Sequence, residues 1–103
     1  MEFPIFPLNG AVLFPKTYLP LNIFEKRYIE MVDYALSKQR IIGMIQTNNN
    51  GNLFKIGCLG KITNFNEIED GRYLINLKGL HCFSTIKEIS SQHNFRILHG
   101  NII

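Results

Sequence analysis

The chain has 103 residues, of which 46% are hydrophobic and 18% are charged, and its net charge is +3. This composition is typical of one small globular domain and excludes an intrinsically disordered chain. The 11 basic residues are scattered without a basic run, which disfavours non-specific binding to nucleic acid.

The N-terminal segment lacks the features of a targeting sequence. It has an acidic second residue and two prolines, whereas a signal peptide has a basic start and a long apolar run. No stretch approaches the roughly 18 apolar residues that a membrane span requires. We therefore expect a cytoplasmic protein that does not enter a membrane.

Two cysteines, Cys58 and Cys82, are too few for a disulfide scaffold, and their spacing fits no zinc motif. Both lie in apolar, strand-like surroundings. We interpret them as reduced thiols in the core, and a pairing across adjacent strands stays open as the alternative.

Three short extended pieces are predicted at the start of the chain, at residues 3–8, 11–14 and 19–21. Pro4 and Pro7 interrupt the first piece. Because proline cannot donate to a strand ladder, we expect an edge strand or a strand entry there. The sequence thus predicts an apolar border that is incompletely paired.

One helix is predicted over about residues 23–37. Asn22 is its expected N-cap, with Glu25 completing a capping box. Apolar side chains then recur at helical spacing and predict a helix that packs on a sheet: Phe24, Tyr28, Met31, Val32, Ala35 and Leu36.

The second half of the chain has the pattern of strands joined by hairpins. Residues 41–46 are almost continuously apolar, which predicts a central strand, and the asparagine-rich residues 48–52 predict a turn. A change of phase at Gly60 indicates a bulge or a barrel corner. Further strands are predicted at 56–68, 73–83, 86–89 and 95–98. The fold class is therefore mainly β (α+β), a small and mostly antiparallel barrel or sandwich with one packed helix.

Motifs for catalysis or metal binding are not found in this sequence. No serine lies in a G-x-S-x-G context, and no P-loop pattern occurs. His81 and Cys82 are adjacent, so on a strand they face opposite sides and do not share an ion. We predict no catalytic residue, no cofactor site and no metal site.

Three apolar motifs near the start carry a family resemblance. Residues 6–8 (FPL), 12–15 (VLFP) and 19–28 (LPLNIFEKRY) closely resemble the opening of the N-terminal substrate-binding domain of Lon proteases. An arginine that is common later in that family is replaced here by His81 or Cys82. The resemblance continues in order through residues 42–45, 57–62, 70–73 and 77–83.

The resemblance implies a PUA-like β-barrel lobe with one helix across it. In the family a helical lobe, an ATPase and a Ser-Lys peptidase follow, so we expect residues 1–103 to be a single, truncated domain. The implied function is the recognition of unfolded or damaged polypeptide for ATP-dependent proteolysis by a module that is not itself an enzyme.

Three aromatic residues are the candidate contacts for polypeptide: Phe14, Tyr34 and Phe54. They lie at or off the periodic core positions, and the alternative is that they are ordinary core or contact a missing lobe. The family-like residues Glu25, Arg27 and Tyr28 are instead interpreted as structural, as a cap, a tether and a core ring.

Other functions stay open as alternatives. PUA-like barrels can bind RNA or a small ligand, and such a function predicts an affinity for RNA that falls steeply with added salt. An enzyme would have to assemble a site from Ser84, His81 and distant acids. Unfolded protein is the expected partner, together with self-association through the exposed apolar border.

Overall fold

The computed structural model describes residues 1–10 and 12–103. Six strands form one sheet in the order β2-β5-β4-β3-β1-β6, and β6 also pairs with β5. This second pairing closes the strands other than β2 into a barrel. The elements are β1 (Glu2–Pro7), β2 (Tyr18–Ile23), α1 (Lys26–Leu36), β3 (Ile41–Ile45), β4 (Ile56–Glu67), β5 (Tyr73–Ile89) and β6 (Arg96–Ile102).

The predicted fold is confirmed: the chain is mostly strand, with one helix packed on the sheet. All strand pairings are antiparallel except that of β1 with β3, which is parallel. The bulge predicted at Gly60 is present, because the register of β4 and β5 shifts between Cys58 and Gly60. No helix in the described residues is long and apolar enough to cross a membrane.

The barrel interior is filled by two phenylalanine rings. Phe3 and Phe83 pack edge to face with their centroids 4.8 Å apart, a favourable geometry for aromatic pairs. Gly57 of β4 is the cross-strand partner of Phe83 on β5, and a Cβ atom there would lie 2.5 Å from the Phe83 ring. The absence of a side chain at this position therefore gives the ring its space. Other buried members of this interior are Ile5, Ile45, Leu59 and Leu98.

A second apolar cluster lies on the outside of the barrel, between the sheet and α1. Met31, Val32 and Ala35 of the helix are fully buried against it. The predicted apolar stripe is thus the packing face of α1. Sheet residues in this cluster include Phe6, Ile42, Met44, Cys58, Ile62, Ile75 and Leu77.

The interpretation of residues 3–8 as an edge strand was wrong. β1 lies between β3 and β6, with neighbours on both sides. Its first residues, Glu2 to Ile5, pair with β6, and the pairing with β3 begins only at Ile5. Pro4 therefore lies before the pairing with β3 begins, where a missing backbone N–H breaks no hydrogen bond to that strand. This explains why proline is tolerated in a strand that lies inside the sheet.

The predicted start of the helix was also wrong. Asn22 and Ile23 pair with Leu74 and Tyr73 of β5, so the ladder of β2 continues through residue 23. The helix begins at Lys26, and its N-cap residue Glu25 makes no side-chain capping bond. Tertiary pairing overrides the local capping signal here.

Two further segments differ from the prediction. Residues 12–15 form no strand, and the expected extended residue Ala11 lies outside the described residues. The two strands predicted at 73–83 and 86–89 are one continuous strand, β5. It can span this length because its two halves serve different neighbours, β2 first and β6 afterwards.

Candidate functional site

An apolar groove of about 220 Å³ lies on the outer face of the barrel. Its floor includes Met44, Cys58 and Cys82, which stand directly opposite one another on β3, β4 and β5. Cross-strand partners share one face of a sheet, so these three side chains form a continuous row. The remaining lining comes from residues 12–15, Ile45, Gln46, Phe54, Ile56 and Gly57.

Four large apolar side chains of the lining are exposed. The exposed fractions are 47% for Val12, 61% for Phe14, 47% for Phe54 and 51% for Ile56. Scattered apolar residues are normal on protein surfaces, but a contiguous patch marks a contact site. We call this site the Phe14–Phe54 groove.

The segment that carries Phe14 is held close to the sheet. The hydroxyl of Thr17 donates to the carbonyl oxygen of Phe14 at 2.7 Å and accepts from its N–H at 3.3 Å. The N–H of Lys16 donates to the carbonyl oxygen of Gly79 at 2.8 Å. These bonds fix the turn, so Phe14 is presented to solvent by an ordered backbone.

The segment that carries Phe54 is fixed by backbone hydrogen bonds on both sides. The N–H of Phe54 donates to Gln46 at 2.9 Å, and the N–H of Thr85 donates to the carbonyl oxygen of Lys55 at 2.8 Å. Phe54 and Ile56 thus project from the segment that leads into β4, between Gln46 after β3 and Thr85 in β5. Both groove segments are pre-organised, which lowers the entropy lost on binding.

The groove carries no formal charge. The described residues that line it include no carboxylate, amine, guanidinium or imidazole, and Gln46 supplies the one side-chain amide. Burial, with a smaller contribution from neighbouring Cys82, raises the pKa of the Cys58 thiol to about 11. Cys58 is therefore protonated at neutral pH and is a poor nucleophile. Such a surface is suited to apolar contact.

The structure brings two of the three predicted contact residues together. Phe14 and Phe54 line the same groove. Tyr34 does not: it is half-buried on α1, and its ring packs 5.1 Å from that of His93 and 5.3 Å from that of Phe95. These contacts indicate that Tyr34 holds the loop before β6 against the helix.

Sequence reasoning missed Val12 and Ile56 as exposed groove residues. Ile56 follows an asparagine-rich turn and belongs to an alternation that predicts a half-buried strand, so periodicity alone gives no sign of its exposure. Phe24 was also misplaced in the buried stripe of the helix. It precedes α1 and is 70% exposed.

A second groove, of about 360 Å³, lies where β1, β2 and the start of α1 meet, and Phe24 lines it. Phe24 is its one exposed large apolar side chain; the others, such as Leu8 and Leu21, are half-buried. Its lining also carries the charged pair Glu25 and Arg27, whose side chains are 3.1 Å apart. The Phe14–Phe54 groove thus has more exposed large apolar side chains and, unlike the second groove, no charged residue in its described lining.

The residues interpreted as structural are seen near this second groove. The ring of Tyr28 packs 4.4 Å from that of Phe6, and the Arg27 guanidinium lies 4.7 Å from the centre of the Tyr28 ring.

Within residues 1–10 and 12–103, no group of three or more His, Cys, Asp or Glu side chains is arranged to hold a metal ion.

Comparison with solved structures supports the fold. The chain is similar to the crystal structure of a Lon N-terminal domain protein from Xanthomonas campestris, with a TM-score of 0.84 at 22% identity, covering 99% of this chain and 59% of that one. It is also similar to the N-terminal domain of a Mycobacterium avium complex Lon protease, with a TM-score of 0.81 at 12% identity. That match covers 100% of this chain and 55% of the other.

Sequence comparison finds longer relatives. The chain is 34% identical over 82 residues to Lon protease 1 of Bdellovibrio bacteriovorus, a match that covers 73% of this chain and 10% of that protein. It is 29% identical over 85 residues to the Lon protease of Desulfosudis oleivorans, covering 75% of this chain and 10% of that protein. The chain thus spans about a tenth of the length of these relatives.

The family comparison covers almost the whole chain. Residues 2–102 match the ATP-dependent protease La (LON) substrate-binding domain, which is not the catalytic part of that protease. The predicted family resemblance is confirmed, and this chain belongs to the Lon substrate-binding domain family.

Proposed function

We propose that this chain is a non-catalytic protein-binding module that recognises unfolded or damaged polypeptide for ATP-dependent proteolysis. The observation that carries the proposal is the Phe14–Phe54 groove, with its exposed apolar side chains and uncharged lining. Membership of a substrate-binding domain family supports the same function.

The groove suits unfolded chain on physical grounds. Folded proteins hide most large apolar side chains, whereas unfolded segments present them together. Burying one such side chain contributes about 1.5–3 kcal/mol, and a groove of this size holds only a few of them. After the cost of association, which is at least about 4 kcal/mol, we expect dissociation constants of roughly millimolar order. Weak contact of this kind accepts many sequences.

The place of this module in proteolysis is part of the proposal. Relatives such as the Lon protease of Desulfosudis oleivorans are about ten times longer than the matched segment. We assign peptide-bond cleavage and ATP use to other parts of such a protease. We also assign the module to the cytoplasm.

Self-association is a further part of the proposal, at a different place from the one predicted. β1 lies between β3 and β6, and only its residues before Ile5 lack a partner on the β3 side. The exposed side chains of Val12, Phe14 and Ile56 give the groove an apolar surface that a second copy could cover at high concentration. Substrate should then compete with self-association.

Binding to permanently unfolded protein tests the proposed function. Fluorescence anisotropy of labelled casein should report saturable binding by the wild-type chain, without cleavage of casein in the presence or absence of ATP. The double variant Phe14→Ser/Phe54→Ser should weaken binding at least tenfold, because each exposed ring contributes more than about 1 kcal/mol to contact.

Phe65→Ser is the matched control, since Phe65 is 39% exposed and does not line the groove. It should bind casein as the wild type does. Equal binding by the groove variant and the control would contradict the proposal. Hydrolysis of casein by the purified chain, or an affinity for RNA that falls steeply with salt and exceeds that for casein, would also contradict it.

A further inference from the structure

We propose that the Phe14–Phe54 groove selects apolar segments that are flanked by acidic residues. This inference rests on the proposed function and specifies which polypeptides the site prefers. It follows from two lysines, Lys16 and Lys55, that are next in sequence to groove residues and form no ion pair within residues 1–10 and 12–103.

Lys16 stands beside the first groove segment. It directly follows Phe14 and Pro15 and is exposed. Its backbone has φ of 67°, in the left-handed region that non-glycine residues rarely adopt, and its N–H bond to Gly79 holds it there. The same turn that presents Phe14 therefore fixes the backbone position from which the Lys16 side chain extends.

Lys55 stands between the two exposed groove residues of the second segment. Phe54 and Ile56 flank it in the chain, and its carbonyl oxygen accepts the N–H of Thr85. Its side chain is exposed. Each apolar segment of the groove thus carries one lysine next to its exposed apolar side chains.

Neither lysine is neutralised within the described residues. The three ion pairs there all use arginine: Arg27 with Glu25, Arg72 with Asp70 and Arg96 with Glu88. The groove lining contributes no carboxylate. An uncharged apolar surface with one lysine next to each of its two segments is complementary to an apolar segment flanked by negative charge.

The size of the preference follows from the exposure of the two lysines. Exposed ion pairs contribute little individually, so each acidic flank should strengthen binding by about two- to fivefold. The effect should disappear at high ionic strength, where screening acts over a few ångströms. Apolar contact would then remain as the salt-independent part of the affinity.

Three labelled peptides with one shared apolar core test the preference. Their flanks carry glutamate, glutamine or lysine, and anisotropy is measured at low and high salt. We expect the glutamate peptide to bind most tightly and the lysine peptide most weakly at low salt. At high salt the three affinities should converge on that of the glutamine peptide.

Charge reversal assigns the effect to the two lysines. Lys16→Glu/Lys55→Glu should invert the order of the peptides at low salt. Lys26→Glu/Lys38→Glu makes the same change in net charge at the start of α1 and just beyond its end, at exposed residues that do not line the groove, and should leave the order unchanged. Lys16→Gly also removes one charge and relieves the left-handed backbone, so it should reduce the preference without lowering thermal stability.

Three equal affinities at low salt would overturn this inference while leaving the proposed function intact. An equal response to the helix pair would overturn it as well, because it would show a dependence on net charge alone. If none of the peptides binds, or if Phe14→Ser/Phe54→Ser binds them as the wild type does, the proposed function fails and this inference fails with it.

Discussion

The backbone carbonyl group of Phe14 lies directly against Gly79 of β5. A Cβ atom at position 79 would collide with the carbonyl oxygen of Phe14 and lie 2.8 Å from its carbon. Because the obstruction is backbone, no side-chain rotation can relieve it. The groove segment therefore depends on glycine at this position.

Gly79→Ala should displace the groove segment. We expect weaker binding of casein together with a loss of stability of about 1–3 kcal/mol, the range for overpacked sites. Gly60→Ala is the matched control: its Cβ would lie 2.9 Å from the end of the Leu13 side chain, which can move. The change at Gly60 should cost less, and urea titration with casein binding compares the two variants. A larger loss at Gly60 would contradict this account.

Gly57→Ala tests the packing of the barrel interior through stability alone, because Gly57 also lines the groove. The added Cβ would lie 2.5 Å from the Phe83 ring and 2.6 Å from the Met44 carbonyl oxygen. We expect a loss of about 1–3 kcal/mol in the free energy of unfolding, because a ring and a backbone atom would both have to shift. Urea denaturation measures it. Wild-type stability in this variant would show that the two rings do not fill the barrel as described.

The hydrogen bond from Tyr73 to Asp33 predicts a loss of stability at alkaline pH. The Tyr73 hydroxyl donates to Asp33 at 2.8 Å, and this bond, with burial, raises the pKa of Tyr73 to about 12. Its ordinary pKa is about 10, so the unfolded chain loses this proton first as pH rises. The stabilisation is complete below about pH 10 and is lost as pH rises through about 12.

Tyr73→Phe should remove this alkaline dependence and cost about 1 kcal/mol at neutral pH. Tyr18→Phe, at an exposed position, is the control and should change neither quantity. Thermal melts over a series of pH values measure both. A Tyr73→Phe curve parallel to that of the wild type at high pH would show that another group dominates.

The two thiols should differ in reactivity. Cys58 is buried and its pKa is raised to about 11, whereas Cys82 is half-buried. Since the thiolate is the reactive form, Cys82 should be alkylated first at mildly alkaline pH. Mass spectrometry of digested protein after short exposure to iodoacetamide gives the two rates. Faster modification of Cys58 would contradict the burial described for it.

Much of the fold was predictable because its signals are local. The apolar stripe of the helix, the turn at 48–52 and the bulge near Gly60 each depend on neighbouring residues. Signals that depend on distant pairing were not readable. The prolines of β1 suggested an edge, and the capping pattern at Asn22 suggested a helix, but pairing with β6 and β5, which are distant in the sequence, decides the two outcomes.

The site was predictable in part for the same reason. Phe14 and Phe54 depart from the core periodicity, which identified them, but their approach across 40 positions of sequence required the fold. Tyr34 also departs from the core periodicity, but it packs against the loop before β6. Departure from periodicity thus selects candidates, and it does not show which of them share a surface.

Mapping the contact surface by NMR is the most direct test of the central claim. Unfolded casein is titrated into the isotope-labelled chain, and the amide resonances that shift are assigned. We expect the shifts to concentrate at residues 12–16, 44–46, 54–58 and 82. Shifts concentrated around Phe24 and the start of α1, with the Phe14–Phe54 groove unchanged, would contradict the claim.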